Sequence, residues 1–336
     1  MRPTDLRHDL PRERIIALGE AMRGLSIVVA GDVMLDRYVL GDTERLSPEA
    51  PVPVVNVNER RSALGGAANV AANVAAIGAT CTLVGVVGED PDGAALRAAL
   101  KAEGLTDQYL LGIAGRPTTA KTRVVVRGQQ VVRIDEEVDT LLSGPALERL
   151  TALLLATLER ADALLLEDYN KGVLAPSLIR AGIDAARRRG IPVVVDPKYR
   201  QFFEYAGATV FKPNRRELEA AMGAGMDLAH PDALHEARAR LQVENLLLTL
   251  GAEGMALVKG DRSVIAIPTL AREVYDVSGA GDTVTAWMGT ALAAGASLLE
   301  AAQLATYAAG VEVGKAGVAT VSLAEVLDLA SSREGR

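Results

Sequence analysis

Asp276-Val277-Ser278-Gly279-Ala280-Gly281-Asp282-Thr283-Val284 opens an Ala-rich apolar run. The glycines set a turn, and the run after them predicts a helix starting there. The first N–H groups of a helix have no intrahelical partner, and the helix dipole turns its positive end toward them. Such a start attracts anions. A carboxylate among these amides, Asp282, is an odd local choice unless it has a task. General base fits: it would take a proton from a hydroxyl while the amides hold a phosphoryl group in transfer.

Upstream of the turn, short apolar runs alternate with helical patterns. Ser26–Gly31 reads as a buried first strand, and similar runs recur at 82–87, 163–166, 192–195 and 246–250. Helical patterns occupy 66–77, 93–103, 145–160, 176–189 and 215–222, and the chain from Gly279 on is mainly helical. The alternation predicts an α/β fold with a mostly parallel sheet covered on both faces. Two insertions, 37–62 and 118–135, depart from it. The first carries Pro48, Pro51 and Pro53 and then alternates; the second alternates around a Gly128-Gln129-Gln130 turn. Both read as antiparallel hairpins. Beside a parallel sheet they would make a small β lid over a site; ordinary edge strands are the plainer reading.

The chain has 336 residues and a net charge of −7, which argues against nucleic acid as the main partner. Aromatics make up 3% of it, so the core must rest on close packing of small residues. Its single cysteine, Cys81, starts a strand-like run and reads as a buried small hydrophobe in a reducing compartment. His8, His230 and His235 stand at no metal-ligand spacing. The charged N-terminus holds no signal-like or membrane-spanning stretch, and residues 12–22 read as an amphipathic helix. A cytoplasmic protein with no membrane partner is expected.

Ligands of open α/β sheets sit beyond the carboxyl ends of the strands. Those ends are polar here: Asp32 and Asp36; Glu167, Asp168, Tyr169, Asn170 and Lys171; Asp196 and Lys198; Lys212, Asn214 and Glu217; then the Gly251–Gly254 loop. Any one of these serves equally well as a cap or a surface charge, but the set points to a ligand. Gly65 and Gly66 begin the first helix and let backbone approach a ligand closely, and Asn69 follows in its first turn, a pattern suited to sugar hydroxyls. A P-loop is rejected, because Gly310 to Lys315 is one residue short and lacks the hydroxyl. A dinucleotide fingerprint is rejected too, because Gly31-Asp32-Val33-Met34 lacks the glycines.

Taken together, Gly65-Gly66-Ala67-Ala68-Asn69 and the 276–282 motif resemble the signatures of the ribokinase-like (PfkB-type) carbohydrate kinases. The resemblance implies a three-layer α/β/α sandwich with a small β-sheet lid, one kinase domain over 1–336. Further stretches resemble the bacterial D-glycero-β-D-manno-heptose 7-phosphate kinases: residues 31–38 and 45–55, Lys121-Thr122-Arg123, 129–135, Asp168-Tyr169-Asn170-Lys171-Gly172 and Asp196-Pro197-Lys198. That resemblance implies transfer of the ATP γ-phosphate to O1, giving a 1,7-bisphosphate for ADP-heptose and lipopolysaccharide core synthesis. Many such kinases carry a fused nucleotidylyltransferase domain. The chain ends at Arg336, so the single-function form is expected, with a separate protein for the second activity.

Carried over position by position, the resemblance makes Asp282 the base and the N–H groups of Gly279, Ala280 and Gly281 the anion hole. Asp36 and Asn69 would hold sugar hydroxyls, with Asp32, Gly65 and Gly66 nearby. Asn214 and Glu217 match an element associated with ATP phosphates and Mg²⁺, Glu217 acting on the metal indirectly. Adenine would lie between the Gly251–Gly254 loop and the C-terminal helices. Lys171 and Lys198 are candidates for the polyphosphate. Lys121, Arg123 and Arg133 could meet the sugar phosphate, or could form a solvated β face. Relatives pair their lids in homodimers, and a monovalent cation requirement stays open. The alternatives are another sugar or sugar-phosphate kinase, or a non-catalytic sugar or nucleotide sensor on the same fold.

Overall fold

Apolar runs too short for helices pair side by side into a ten-stranded sheet. Its order is Thr4–Asp5, Val264–Ile267, Met255–Val258, Asn245–Thr249, Val210–Phe211, Val193–Asp196, Ala163–Glu167, Ser26–Gly31, Thr80–Gly88 and Leu110–Ile113. The computed structural model describes residues 4–5, 10–228, 230–271 and 274–334; His8 and most of the N-terminus before Leu10 lie outside the described residues. Met255–Val258 runs antiparallel to both neighbours, and all other pairings in the sheet are parallel.

Side chains alternate across a strand, so each central strand feeds two cores. Ile27, Val29 and Leu165 pack with the helices Arg12–Met22, Ala67–Ile77, Pro91–Ala102, Ala280–Ala293 and Leu298–Glu312. Val28, Ala30, Leu164 and Leu166 pack with Gly144–Leu158, Pro176–Arg189 and Asp232–Leu241 on the opposite face. The result is a three-layer α/β/α sandwich. Cys81 is buried in the first core. Among the described residues, no helix is long and apolar enough to cross a membrane.

A second sheet of four strands sits beside the first, in the order Pro53–Gly66, Val33–Leu46, Ala120–Val126 and Gln129–Glu136. The two expected hairpins are both there, each antiparallel. The structure adds a parallel seam between them, from Val33–Leu46 to Ala120–Val126. Gly65 and Gly66 end a strand rather than begin a helix, and Gly66 caps Ala67–Ile77 at φ 55°. A Cβ on Gly66 would stand 2.5 Å from the Asp32 carbonyl oxygen, so the turn needs glycine.

Candidate active site

Asp282 lies in the first turn of Ala280–Ala293, after Gly279 in the left-handed conformation at φ 93°. It is buried. Asn69 Nδ2 donates to its Oδ2 at 2.8 Å and the Tyr169 hydroxyl to its Oδ1 at 2.6 Å. Burial pushes the Asp282 carboxyl up to about 6, against the two hydrogen bonds that favour its ionised form. No side chain caps this helix. Among the described residues the N–H groups of Gly279 and Gly281 meet no acceptor, and that of Ala280 makes only a long 3.4 Å contact to the Val277 carbonyl. A buried carboxylate and free amide donors therefore share one turn.

Strand ends bring three more charged groups to this point. Glu167, Asp196 and Asp282 offer carboxylate oxygens within 4.8 Å of one another. Lys212 Nζ pairs with Asp196 Oδ2 at 2.9 Å, both residues buried. Glu167 is fully buried and neither of its oxygens accepts a hydrogen bond; the Thr285 hydroxyl donates instead to the Gly281 carbonyl at 3.1 Å. Burial, then the Asp196 and Asp282 charges, hold the Glu167 carboxyl well above its ordinary value. Lys212, with Lys198 Nζ 4.0 Å from Asp196 Oδ1, faces three buried carboxylates, and hard oxygen donors of this kind suit Mg²⁺.

The small sheet faces the same region. Its register sets Asp36 beside Lys121, Tyr38 beside Arg123, Lys121 beside Asp135 and Arg123 beside Arg133, so all six side chains share one face. The Arg123 guanidinium donates to Asp36 Oδ1 and lies 5.4 Å from the Tyr38 ring centroid. Lys121 and Lys171 both pair with Glu137, at 2.9 and 2.7 Å. Arg133, half exposed, pairs with Asp135 at 2.9 Å. Asp32 accepts the N–H groups of Tyr169, Lys171 and Val173 at 2.7, 2.9 and 3.1 Å. Its carboxylate is spent on holding the 169–173 loop. Gly65 packs against Asp36, where a Cβ would stand 2.3 Å from Oδ2.

On the other side of Asp282 lies a mostly apolar cavity of about 480 Å³. Gly251, Gly254 and Met255 form one wall; Ala280, Ala309 and Val313 form the other. Asn214 borders it. Asn214 and Glu217 form a capping box, and Lys198 donates to Glu217 Oε1 at 2.7 Å, so both Glu217 oxygens are in use. Lys171 and Lys198, expected at the polyphosphate, line a separate polar cavity with Glu137, Tyr169 and Tyr199. Lys171 is placed there by the 169–173 loop, which Asp32 and the left-handed Asn170 (φ 55°) turn toward the small sheet.

Four groups at the centre carry no role in the expectations drawn from the sequence. Lys212, Glu167 and Asp196 stand at strand ends, but nothing in the chain says that they converge. Glu312 offered no signal at all: it sits in an Ala-rich helix, is fully buried, and has no partner for either oxygen. A Cβ on Gly279 would lie 3.2 Å from its Oε1. Burial first, then Asp282 and Asp276, push the Glu312 carboxyl up to about 8.

The same architecture occurs in solved carbohydrate kinases. A ribokinase from Arabidopsis thaliana, complexed with ribose and ATP, superposes with a TM-score of 0.72 at 23% identity, covering 92% of this chain and 99% of that one. Phosphofructokinase-2 from Escherichia coli, in complex with potassium, superposes with a TM-score of 0.75 at 20% identity, covering 93% and 99%. At these identities the likeness concerns the fold alone. In sequence, the chain is 46% identical over 321 residues to the bifunctional protein HldE of Caulobacter vibrioides and 43% identical over 316 residues to that of Rhodospirillum rubrum. Those matches take in 95% and 93% of this chain but 66% and 64% of the relatives' own length. The pattern described as pfkB family carbohydrate kinase matches residues 25–325. A buried carboxylate at an uncapped helix start, a ribokinase-like sandwich around it and a family match over nearly the whole chain lead to one conclusion: the chain belongs to the pfkB family of carbohydrate kinases.

Proposed function

We propose that the chain transfers the γ-phosphoryl group of ATP to O1 of D-glycero-β-D-manno-heptose 7-phosphate. The 1,7-bisphosphate would enter ADP-heptose and lipopolysaccharide core synthesis in the cytoplasm, with a nucleotidylyltransferase acting downstream. The observation that carries the choice of acceptor is the charged face of the small sheet. Arg123, Arg133 and Lys121 stand there in register with Asp36. A neutral sugar has no use for such a cluster, whereas a phosphate monoester pairs with guanidinium groups in fork geometry. The sheet is proposed to act as a lid, and Val132 and Ile134, about half exposed on its other face, to join two copies in a homodimer.

Asp36 and Asn69 would orient the sugar so that its O1 hydroxyl meets Asp282. Asp282 takes the hydroxyl proton as the oxygen bonds to phosphorus and ADP departs. The amides of Gly279, Ala280 and Gly281 stabilise the charge on the migrating group. ATP would place its adenine in the apolar cavity between the Gly251–Gly254 loop and the Ala309–Val313 segment. Glu167 and Asp196 would hold Mg²⁺, which when bound offsets the charge of the ATP phosphates. A substrate panel read by ADP release and product mass tests the reading. The heptose 7-phosphate should give the highest kcat/KM; preference for fructose, ribose or adenosine overturns it.

A further inference from the structure

Tyr169 stands where the transfer chemistry has no use for a tyrosine. Its hydroxyl donates to Asp282 Oδ1 at 2.6 Å, the length of a strong O–H···O⁻ bond. The residue is held in place from both ends. Asp32 accepts its backbone N–H at 2.7 Å, and Lys198 Nζ lies 5.2 Å from its ring centroid. The ring packs beside Gly66, where a Cβ would stand 3.5 Å from Tyr169 Cδ2, an ordinary van der Waals contact. The ring lines the polar cavity of about 570 Å³ that Glu137, Lys171 and Lys198 share. Tyr169 thus stands between a cavity lined by charged side chains and the buried Asp282. Burial, then the Asp282 charge, pushes the phenol well above its ordinary value, so it stays a donor.

We infer that the Tyr169 hydroxyl occupies, in the enzyme without acceptor, the place on Asp282 that the acceptor hydroxyl takes during transfer, and denies that place to water. The inference rests on Asp282 being the base. A phenol and a sugar hydroxyl present the same donor to a carboxylate, so one can stand in for the other. A sugar brings several contacts at once, with Asp36 and Asn69 among them, and can displace a single hydrogen bond. A water molecule brings no such set. An unguarded base beside bound ATP would take a proton from water and drive hydrolysis to ADP and inorganic phosphate. Tyr169 is then a positioning residue that keeps the γ-phosphoryl group for the sugar.

Tyr169→Phe keeps the ring and removes the donor. In the full chain with Mg-ATP and no sugar, ADP release should rise about ten-fold or more, the equivalent of one hydrogen bond to a charged group. With acceptor present, more ADP than phosphosugar should form. An unchanged ratio of ADP to phosphosugar overturns the inference. Asp282→Asn in the Tyr169→Phe background should abolish the extra hydrolysis; hydrolysis that persists shows a route without the base and also overturns it. ATP affinity, measured by calorimetry, reports whether the variants are folded. Neither outcome depends on which sugar is the acceptor. A parent enzyme inert toward the heptose phosphate but guarded by Tyr169 would sink the proposed substrate alone.

Discussion

Asp282→Asn should make the protein more stable while disabling it. The Asp282 carboxyl sits at about 6 in the folded chain against an ordinary 3.8. At about 1.4 kcal/mol per pH unit, that interval amounts to about 3 kcal/mol. The folded value is the higher one, so ionised Asp282 opposes folding. The penalty is complete above pH 6, shrinks as pH falls toward 3.8, and is absent below it. Asparagine removes the charge and still accepts from Tyr169. Its amide group, however, faces Asn69 Nδ2, and turning Asn69 over presents its own amide nitrogen to Asn73 Nδ2. That mismatch costs about 1 kcal/mol, which leaves a net gain of about 2 kcal/mol at pH 7.5. Urea unfolding of parent and variant at pH 7.5, 6 and 4.5 measures it, alongside a kcat lowered by about 10²–10⁴ with ATP affinity retained. A variant less stable than the parent at pH 7.5, or a gain that does not shrink with acid, would refute the reasoning.

The acid limb of kcat/KM should bend at about pH 6; at pH 5 only about a tenth of Asp282 is ionised and the rate should fall accordingly, as a pH profile will record. Lys212→Met removes the one buried cation bonded to Asp196 and should cost about 3–5 kcal/mol in denaturant unfolding at pH 7.5, because Asp196 and Glu167 remain without it. Ala309→Phe fills the apolar cavity; it should raise KM for ATP at least about ten-fold and leave KM for the sugar alone, as initial-rate kinetics will show. Arg123→Ala removes a charge-assisted contact of about 1.5–3 kcal/mol, so KM for a phosphorylated acceptor should rise about ten- to one-hundred-fold, and far more than KM for a neutral sugar, which feels only the loss of the Asp36 partner.

The regular parts of the fold were legible because their ends carry local signals. Pro176 in the first turn and left-handed Gly190 after the last bound one helix, and the Asn214–Glu217 capping box with Gly223 bounds another. Both run as the sequence predicts. Met255–Val258 and Val264–Ile267 escaped notice, since each has four residues and the turn between them uses a left-handed arginine, Arg262 at φ 65°, where glycine would be expected. At the site, Asp282 and Asn69 announced themselves through neighbouring glycines, and Asp36 through its place after the first strand. Glu167, Asp196 and Lys212 meet only because three parallel strands end side by side, a fact of register that no local window contains.

The parallel seam in the small sheet has a consequence for how the chain is made. Val33–Leu46 and Pro53–Gly66 leave the ribosome together, but residues 67–119 must follow before Ala120–Val126 can close the seam. At translation rates of ~5–20 residues per second, that interval is roughly 3–11 s. Throughout it, one edge of Val33–Leu46 offers unpaired N–H and C=O groups to any passing strand. The edge carries Asp36, Arg37 and Asp42, charges that discourage edge-to-edge pairing. Residues that later knit the finished sheet together thus protect the nascent chain from mispairing while it waits.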